Sequence, residues 1–290
     1  MIRCGLVGVN TSHADAFSRL LNGTFDVPPL VEGGQIVAVW HDEGQEERAR
    51  ELAAAHQIGL IEPDLSRLVD QVDAVLVIDD TGGGASHGRL ATPFLQAGLP
   101  TFIDKPMTTE FSEAVRLFDL AARTGAPLLS CSALRFAAEL SDAREDLAEI
   151  GDLSSVISTG PGDWYYYGVH AVELLGAVAG TGAKTVTRHA FPDRDVVVVD
   201  YGNGPTGIVQ TLRDAAYVFE LVAYGKDGHA SFEVQDSTAF YGNTMAEVVK
   251  MAETGVAPLK PEQTLEVLAI LQAGLESAET GKPAPVVTAG

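Results

Sequence analysis

The chain has 290 residues, of which 46% are hydrophobic, and its formal net charge is −21. This length suffices for one large or two ordinary domains. The excess of acidic residues argues against nucleic acid and anionic membranes as partners, because proteins that bind either one need an excess of lysine and arginine. An anionic ligand would need a helix N-terminus or a few well-placed cations.

The N-terminus and the cysteines indicate a soluble cytoplasmic protein. Met1–Gly5 begins the first strand with no signal-peptide layout, and no apolar run approaches membrane-spanning length. Cys4 and Cys131 are the only cysteines, and each lies in an apolar stretch that resembles a buried strand. We therefore expect reduced core thiols, with neither a disulfide nor a metal site.

Short apolar strands alternate with helices in the first half of the chain. The predicted strands are Ile2–Val9, Gln35–Trp40, Ile58–Ile61, Val72–Ile78, Thr101–Ile103 and Pro127–Ser132. The predicted helices are Ala14–Leu21, Gln45–His56, Ser66–Val69, His87–Ala97 and Glu110–Thr124. This alternation predicts an α/β domain over residues 1–128, with a Rossmann-type, doubly wound parallel sheet.

The second half, residues 129–290, loses that alternation. Helices are predicted at Leu134–Ile150, Val169–Val178, Ala246–Thr254 and Thr264–Thr280, with a loop at Gly160–Tyr167. Segments rich in β-formers follow one another at Lys184–Ala190, Asp195–Tyr201, Thr206–Leu212, Tyr217–Tyr224 and His229–Val234. Strands without intervening helices predict an α+β domain whose sheet is mostly antiparallel.

The turn after the first strand stands where dinucleotide-binding domains carry the fingerprint G-x-G-x-x-G. Only the first glycine, Gly8, is present; it would form the tight turn. Asn10 tolerates a left-handed backbone, and Thr11 or Ser12 would cap the next helix, whose N–H groups would face a ligand. His13 occupies the third place. These five residues are predicted to contact a dinucleotide; the alternative is a turn that only packs.

The ends of the second and fourth strands carry further candidates. Asp42 follows the second strand, where an acid normally bonds the adenosine ribose. No lysine or arginine follows Asp42 until Arg48, so no neighbouring cation would bind the 2′-phosphate of NADP. The sequence here therefore favours NAD over NADP. The glycine-rich segment after the fourth strand allows the backbone to approach a ligand, so Asp80 and Thr81 are cofactor-binding candidates; a flexible loop is the alternative. His87 would contact ligand, or cap or pack its helix.

The strand Thr101–Ile103 runs directly into Asp104-Lys105-Pro106. An apolar strand stopped by proline places an acid and a lysine at the ligand-binding edge of a parallel sheet. A surface salt bridge is the alternative interpretation of the Asp104 and Lys105 pair.

Four consecutive aromatic residues precede His170 and are too many for one face of a single element. They are Trp164, Tyr165, Tyr166 and Tyr167. Such a cluster suits a sugar or polyol, because aromatic rings stack on C–H surfaces and phenols bond hydroxyls. His170 could act as a general base near neutral pH. The alternative is a core histidine beneath an aromatic cluster.

Together these stretches resemble the Gfo/Idh/MocA family of NAD(P)-dependent oxidoreductases, which includes glucose-fructose oxidoreductase and inositol dehydrogenase. Asp104-Lys105-Pro106 resembles the family's Glu-Lys-Pro motif, and Ser132–Phe136 resembles its Arg-Phe segment. Gly168–Leu175 resembles its Gly-x-His-x-x-Asp-x-Leu helix start, and Glu262–Pro283 its closing helix.

The resemblance implies hydride transfer between NAD and a carbinol carbon of a sugar- or cyclitol-like substrate. Lys105 would contact cofactor and reacting hydroxyl, lowering the cost of the alkoxide, while His170 would take the hydroxyl proton. Asp104 would belong to the cofactor site. Tyr166 stands where family dehydrogenases often carry Asp, and would join the proton relay. The expected substrate contacts are Arg135, Asp163, Trp164, Tyr165 and Tyr167.

Three departures leave other functions open: the missing glycines of the first turn, Asp104 in place of Glu, and Tyr166 in place of Asp. One alternative is a non-catalytic ligand-binding or regulatory protein with an altered cofactor site. Another is a lyase or hydrolase in which tightly held NAD oxidises a sugar transiently. Members of the family commonly pair through the antiparallel sheet, so a homodimer or homotetramer is expected.

Overall fold

Two compact units make up the computed structural model, which describes residues 1–288. The first unit comprises Met1–Cys131 and Tyr241–Leu259, and the second comprises Ser132–Phe240 and the chain from Lys260 onward. The domains predicted as 1–128 and 129–290 differ from these units chiefly by the segment Tyr241–Leu259, which packs with the first.

The first unit contains a six-stranded parallel sheet in the order β3-β2-β1-β4-β5-β6. Its strands are β1 (Ile2–Val7), β2 (Gly34–Trp40), β3 (Leu60–Ile61), β4 (Ala74–Val77), β5 (Thr101–Ile103) and β6 (Leu128–Leu129). Its helices, apart from the last, are α1 (Ser12–Asn22), α2 (Glu46–Ala55), α3 (Leu65–Leu68), α4 (His87–Gln96) and α5 (Phe111–Thr124). Every residue of β4 is buried, as expected for a strand covered on both faces. The Rossmann-type prediction is confirmed, with the topological switch between β1 and β4.

The second unit contains a seven-stranded sheet in the order β12-β11-β7-β10-β9-β8-β13. Its strands are β7 (Leu153–Pro161), β8 (Thr185–Ala190), β9 (Arg194–Asp200), β10 (Thr206–Leu212), β11 (Glu220–Gly225), β12 (His229–Glu233) and β13 (Ala284–Pro285). Only the β7–β10 pair is parallel among the described pairings. The prediction of a mostly antiparallel sheet is confirmed.

Helices α8 and α10 pack on strands of the second sheet. The remaining helices of the chain are α6 (Ala138–Asp142), α7 (Arg144–Glu149), α8 (Gly168–Ala179), α9 (Ser237–Thr254) and α10 (Pro261–Thr280). Helix α9 begins in the second unit and enters the first at Tyr241. Buried residues alternate along β9 and β10, because one face of each strand contributes to the core.

Two predictions for the second half are wrong. The helix predicted at Leu134–Ile150 is a 3-10 turn followed by the short helices α6 and α7, because the backbone is extended at Ala137 (φ −60°, ψ 139°). Strand β7 was missed altogether. Its serines, glycine and proline read as connecting chain, although its buried residues alternate as in a half-covered strand.

The described residues also bear on the cysteines, on membrane-spanning helices and on metal ligands. Cys4 and Cys131 are both buried thiols, and burial raises the pKa of Cys4 to about 12. No helix within residues 1–288 is both long and apolar enough to span a bilayer. No group of three or more potential ligands in this part of the chain could hold a metal ion.

Candidate functional site

The segments after β1, β4 and β5 lie at one edge of the first sheet, because these three strands are parallel neighbours. Gly8 adopts a φ of +106°, which L side chains rarely adopt. A Cβ built there would lie 2.6 Å from backbone atoms of Asp79. The turn after β1 and the loop after β4 therefore touch at a position that only glycine fits.

A side-chain bridge fixes the same two loops to each other. Oδ1 of Asn10 accepts the N–H of Asp80 at 2.9 Å, and its Nδ2 donates to Oγ1 of Thr81 at 3.2 Å. Thr11 caps α1 by accepting the N–H two residues on, and Ser12 is exposed at the first turn of that helix. The structure thus brings together five residues that were predicted to bind the cofactor: Asn10, Thr11, Ser12, Asp80 and Thr81.

His13 links α1 to the end of β5. Its Nδ1 lies 2.5 Å from Oδ2 of Asp104, and its Nε2 lies 3.0 Å from the hydroxyl of Tyr241. The ring also stacks on Phe17 at 5.1 Å between centroids. Both nitrogens have partners inside the unit and His13 is buried. These contacts brace α1, and the predicted cofactor contact of His13 stays a prediction.

Asp104 is the other partner in that brace, and its predicted place in the cofactor site stays a prediction. Its Oδ1 accepts the N–H of Lys105 at 2.8 Å, so both of its oxygens are engaged. Burial alone would raise the pKa of Asp104, but the charge and hydrogen bond of His13, with the charges of Lys105 and His87, lower it to about 2. The carboxylate fixes the backbone that presents Lys105, whose peptide bond to Pro106 is cis.

The free energy of unfolding should fall as the pH drops from about 4 towards 2. The pKa of Asp104 lies below its ordinary 3.8 in the folded protein. Its stabilisation is therefore complete above pH 3.8 and is lost as the pH falls through about 2, a loss of roughly 2 kcal/mol. Urea denaturation at a series of pH values measures this, and Asp104→Asn should flatten the acid limb. Asp26→Asn, at an exposed position, should keep the wild-type decrease in the free energy of unfolding at acid pH. If Asp104→Asn kept it too, the decrease would not come from Asp104.

Two buried polar atoms near the loop after β4 lack a partner among residues 1–288. Asp79 is fully buried; its Oδ1 accepts from Thr81 and Ser86, but its Oδ2 has no partner. His87 is 2% exposed, with Nδ1 at 3.0 Å from the carbonyl of Pro106 and Nε2 without a partner. Buried polar atoms normally find hydrogen bonds, so both are ligand candidates. Sequence reasoning selected His87 and missed Asp79.

Arginine side chains lie closer to the predicted nucleotide positions than the sequence indicated. Nη2 of Arg89 lies 3.6 Å from Oδ2 of Asp42. Nε of Arg48 donates to the carbonyl of Val9 at 3.3 Å, and its guanidinium also pairs with Asp15. The sequence next to Asp42 indicated only Arg48. Arg89 was missed because it lies much later in the chain, on α4.

In the second unit, His170 is held by a serine that sequence reasoning passed over. Oγ of Ser132 lies 2.6 Å from Nδ1 of His170. Glu173, one turn further along α8, accepts the N–H of Ser132 at 3.1 Å and pairs with Arg135 at 2.5 Å. The Arg135 side chain is only 7% exposed. This buried pairing gives Arg135 a structural role, and its predicted contact with substrate stays a prediction.

The aromatic segment divides into a core residue and a turn. Trp164 is 1% exposed, and its Nε1 donates to the carbonyl of Leu271 at 2.9 Å, as in a core residue. Its predicted contact with substrate stays a prediction. Oδ1 of Asp163 accepts the N–H groups of Tyr165 and Tyr166 at 3.0 and 2.9 Å. The Asp163 side chain thus orders the turn that presents these tyrosines.

Aromatic rings surround His170 on the side of Tyr167. The centroids of Tyr167 and Phe219 lie 6.1 and 5.4 Å from that of His170, and Tyr166 lies 5.8 Å from Tyr167. Tyr217 packs on both Tyr167 and Phe219, at 6.4 and 5.4 Å. Sequence reasoning missed Tyr217 and Phe219 because it treated them as part of a strand.

A family model described as an oxidoreductase family with an NAD-binding Rossmann fold matches residues 2–131. This is the model of the Gfo/Idh/MocA family, and its match covers the six strands of the parallel sheet. It is 27% identical over 159 residues to an inositol 2-dehydrogenase from Corynebacterium glutamicum, a match covering 54% of this chain and 43% of that protein. The chain therefore matches less than half the length of that relative. Inositol 2-dehydrogenase 2 from Saccharopolyspora erythraea is 24% identical over 247 residues, covering 76% of this chain and 68% of its own.

Solved structures share the fold along nearly the whole chain. A probable dehydrogenase from Thermotoga maritima superposes with a TM-score of 0.86 at 16% identity, covering 98% of this chain and 99% of its own. Myo-inositol dehydrogenase from Lactobacillus casei, in complex with NAD(H) and myo-inositol, gives 0.84 at 16% identity, covering 100% and 98%. At these identities the comparison establishes the fold.

The residues present fit a dinucleotide. The contact of Gly8 with Asp79 leaves no room for a side chain at the turn. Ser12 is exposed at the first turn of α1, and helix N-termini are sites where phosphate binds. The unpartnered atoms of Asp79 and His87 suit ribose hydroxyls, which both donate and accept hydrogen bonds.

Proposed function

We propose that the protein is an NAD-dependent oxidoreductase that moves a hydride between a nicotinamide and a carbinol carbon of a cyclitol- or sugar-like substrate. The observation that carries the proposal is the position of Lys105, presented by the Asp104 brace directly after β5. This is the sheet edge where Gly8, Asn10 and the loop after β4 meet. Relatives named inositol 2-dehydrogenase favour a cyclitol.

The chain's own residues would hold the cofactor as follows. Asn10, Ser12 and the N-terminus of α1 would bind the pyrophosphate, and Asp42 an adenosine ribose hydroxyl. We favour NAD over NADP because the Asp42 carboxylate would repel a 2′-phosphate, although Arg89 partly balances its charge. Asp79 and His87 would bond ribose hydroxyls through their unpartnered atoms.

Bound NAD supplies the hydride acceptor for alcohol oxidation. Lys105 would orient the reacting hydroxyl and stabilise its developing negative charge. His170 would take the hydroxyl proton, since hydride leaves the carbon only as the oxygen gives up its proton. Tyr166 would join the proton relay in place of the expected Asp. Tyr165 and Tyr167 would stack on or bond the substrate's ring.

Calorimetric titration with NAD and NADP tests the cofactor, and NADH production with myo-inositol, scyllo-inositol and glucose tests the activity. We expect micromolar to millimolar NAD binding and NADH formation with at least one cyclitol. Absence of binding to either dinucleotide would contradict the proposal and favour the non-catalytic alternative. The Asn10 bridge motivates that alternative, because it already occupies part of the turn. Retained NAD with turnover but no net reduction would favour the lyase or hydrolase.

Tyr166→Phe should lower kcat roughly tenfold and alter the shape of the pH–rate profile, because it removes a hydroxyl that bonds the substrate or relays its proton. Initial rates between pH 6 and 10 measure both effects. Tyr165→Phe, at the neighbouring position of the same turn, serves as the matched control. An unchanged profile in Tyr166→Phe would show that the phenol has not replaced the acid.

A homodimer or homotetramer is part of the proposal, as pairing through the second sheet would cover the face that α8 and α10 leave open. Light scattering of the purified protein measures the assembly, and a monomer would remove this element alone.

A further inference from the structure

We propose that Ser132 is a positioning residue that fixes the tautomer of His170. Its Oγ lies 2.6 Å from Nδ1 of the histidine, and Ser132 is fully buried. Tyr166 stands where the family resemblance leads us to expect the acid that orients this ring. The serine, from the segment after β6, therefore supplies the partner at Nδ1. Only the catalytic consequence of this inference rests on the proposed function.

Ser132 is itself held rigidly. Its N–H donates to Oε2 of Glu173 at 3.1 Å, while Nε of Arg135 donates to Oε1 of the same carboxylate at 2.6 Å. Glu173 and His170 both lie on α8. Helix α8 thus carries both the imidazole of His170 and the carboxylate that anchors Ser132. The distance between Oγ and Nδ1 is therefore fixed by contacts with a single helix.

An inventory of hydrogens assigns the tautomer. Oγ of Ser132 accepts the N–H of Leu134 at 3.2 Å, and the hydroxyl has a single hydrogen to donate. Among residues 1–288, Nδ1 of His170 is the acceptor within hydrogen-bonding distance of the Ser132 hydroxyl. Burial keeps bulk water away from this hydroxyl. The hydroxyl therefore donates to Nδ1, and the neutral ring carries its proton on Nε2.

This arrangement makes His170 a hydrogen-bond donor at rest. A proton on Nδ1 would face the serine hydrogen and force the hydroxyl away from its acceptor, leaving a buried donor unsatisfied. A carboxylate in the same place would favour the opposite tautomer, because it can only accept. In the opposite tautomer, with the proton on Nδ1, Nε2 is free to take a substrate proton, and the Ser132 hydroxyl has turned so that its Oγ accepts from Nδ1.

The groups described beside the ring include two aromatic rings and a carboxylate. Tyr167, before α8, and Phe219, before β11, present aromatic rings at 6.1 and 5.4 Å. The carboxylate of Glu173, on the same helix, is neutralised by Arg135. These groups stay in place when only the serine is changed, so a change in the tautomer of His170 would report on the hydroxyl.

Nitrogen-15 NMR of histidine-labelled protein, without cofactor or substrate, tests the assignment directly. In the neutral wild-type ring we expect an unprotonated Nδ1 and a protonated Nε2; His170→Asn identifies the signals. Ser132→Ala should increase the share of the neutral ring that is protonated on Nδ1, because the hydroxyl hydrogen that keeps Nδ1 unprotonated is gone. Ser132→Thr, which keeps a hydroxyl, should restore the wild-type tautomer.

Ser158→Ala is the matched control. Ser158 is fully buried on β7, and its Oγ has no partner among the described residues, so its removal should leave His170 unchanged. A protonated Nδ1 in the neutral wild-type ring, or an unchanged tautomer in Ser132→Ala, would overturn the proposal. Because no turnover is measured, failure here and failure of the proposed oxidoreductase activity remain distinguishable.

Discussion

Lys105→Ala should lower kcat for cyclitol oxidation by about 10²–10⁴-fold, with a much smaller change in KM. The proposed role of the ammonium is to stabilise negative charge that develops on the substrate oxygen as the hydride leaves. An interaction that strengthens in the transition state is lost mainly from kcat. Initial rates at saturating NAD, with the cyclitol varied, measure both constants.

Lys250→Ala controls for loss of a lysine from the same unit, since Lys250 is exposed and pairs only with Glu247 in the described contacts. Its kinetics should match wild type. Lys105→Arg keeps the positive charge but replaces a compact ammonium with a planar guanidinium, so it should recover only part of the activity. Near wild-type turnover in Lys105→Ala would make Lys105 a structural residue and the proposed mechanism wrong.

Trp164→Ala should lower the free energy of unfolding by about 3–5 kcal/mol, the range for truncating a buried aromatic side chain. The ring is almost fully buried and donates a hydrogen bond to Leu271. It also fills the space over Gly274, where an added Cβ would lie 2.5 Å from Nε1. Urea denaturation monitored by circular dichroism measures the loss. Trp164→Phe should lose less, because part of the ring volume remains.

Tyr217→Ala is the aromatic control for this experiment. Tyr217 is 70% exposed, so its truncation should change stability by less than about 1 kcal/mol. If Trp164 were instead a substrate contact, Trp164→Ala would raise KM and leave the denaturation midpoint in place. The two measurements therefore separate a core residue from a binding residue.

Sequence reasoning succeeded where local pattern and topology agree. Continuous apolar strands such as β1 and β4 occur in sheets covered on both faces, and strand ends at the switch point gather ligand-binding segments. The places of Gly8 and Lys105 followed from those two rules. Strand β7 escaped because only one of its faces is apolar, and its serines mimic a loop.

Side-chain roles in the candidate site were harder to predict because they depend on partners distant in sequence. His13 is occupied by Asp104 and Tyr241, and no local pattern indicates either contact. Trp164 looked like part of a surface aromatic cluster until its bond to Leu271 placed it in the core. Ser132 carried no signal of its own, because a serine after a strand usually serves only as a cap.

Helix α9 has a practical consequence for anyone who wishes to excise the half that contains the parallel sheet. A fragment ending at Cys131 would lack Tyr241, the hydroxyl partner of His13, and Val249, whose side chain lies against Gly34 at the start of β2. Recombinant residues 1–131 should therefore be prone to aggregation, despite containing every strand of the parallel sheet. A chimera that tethers Tyr241–Leu259 to that fragment by a flexible glycine-serine linker would restore the missing packing.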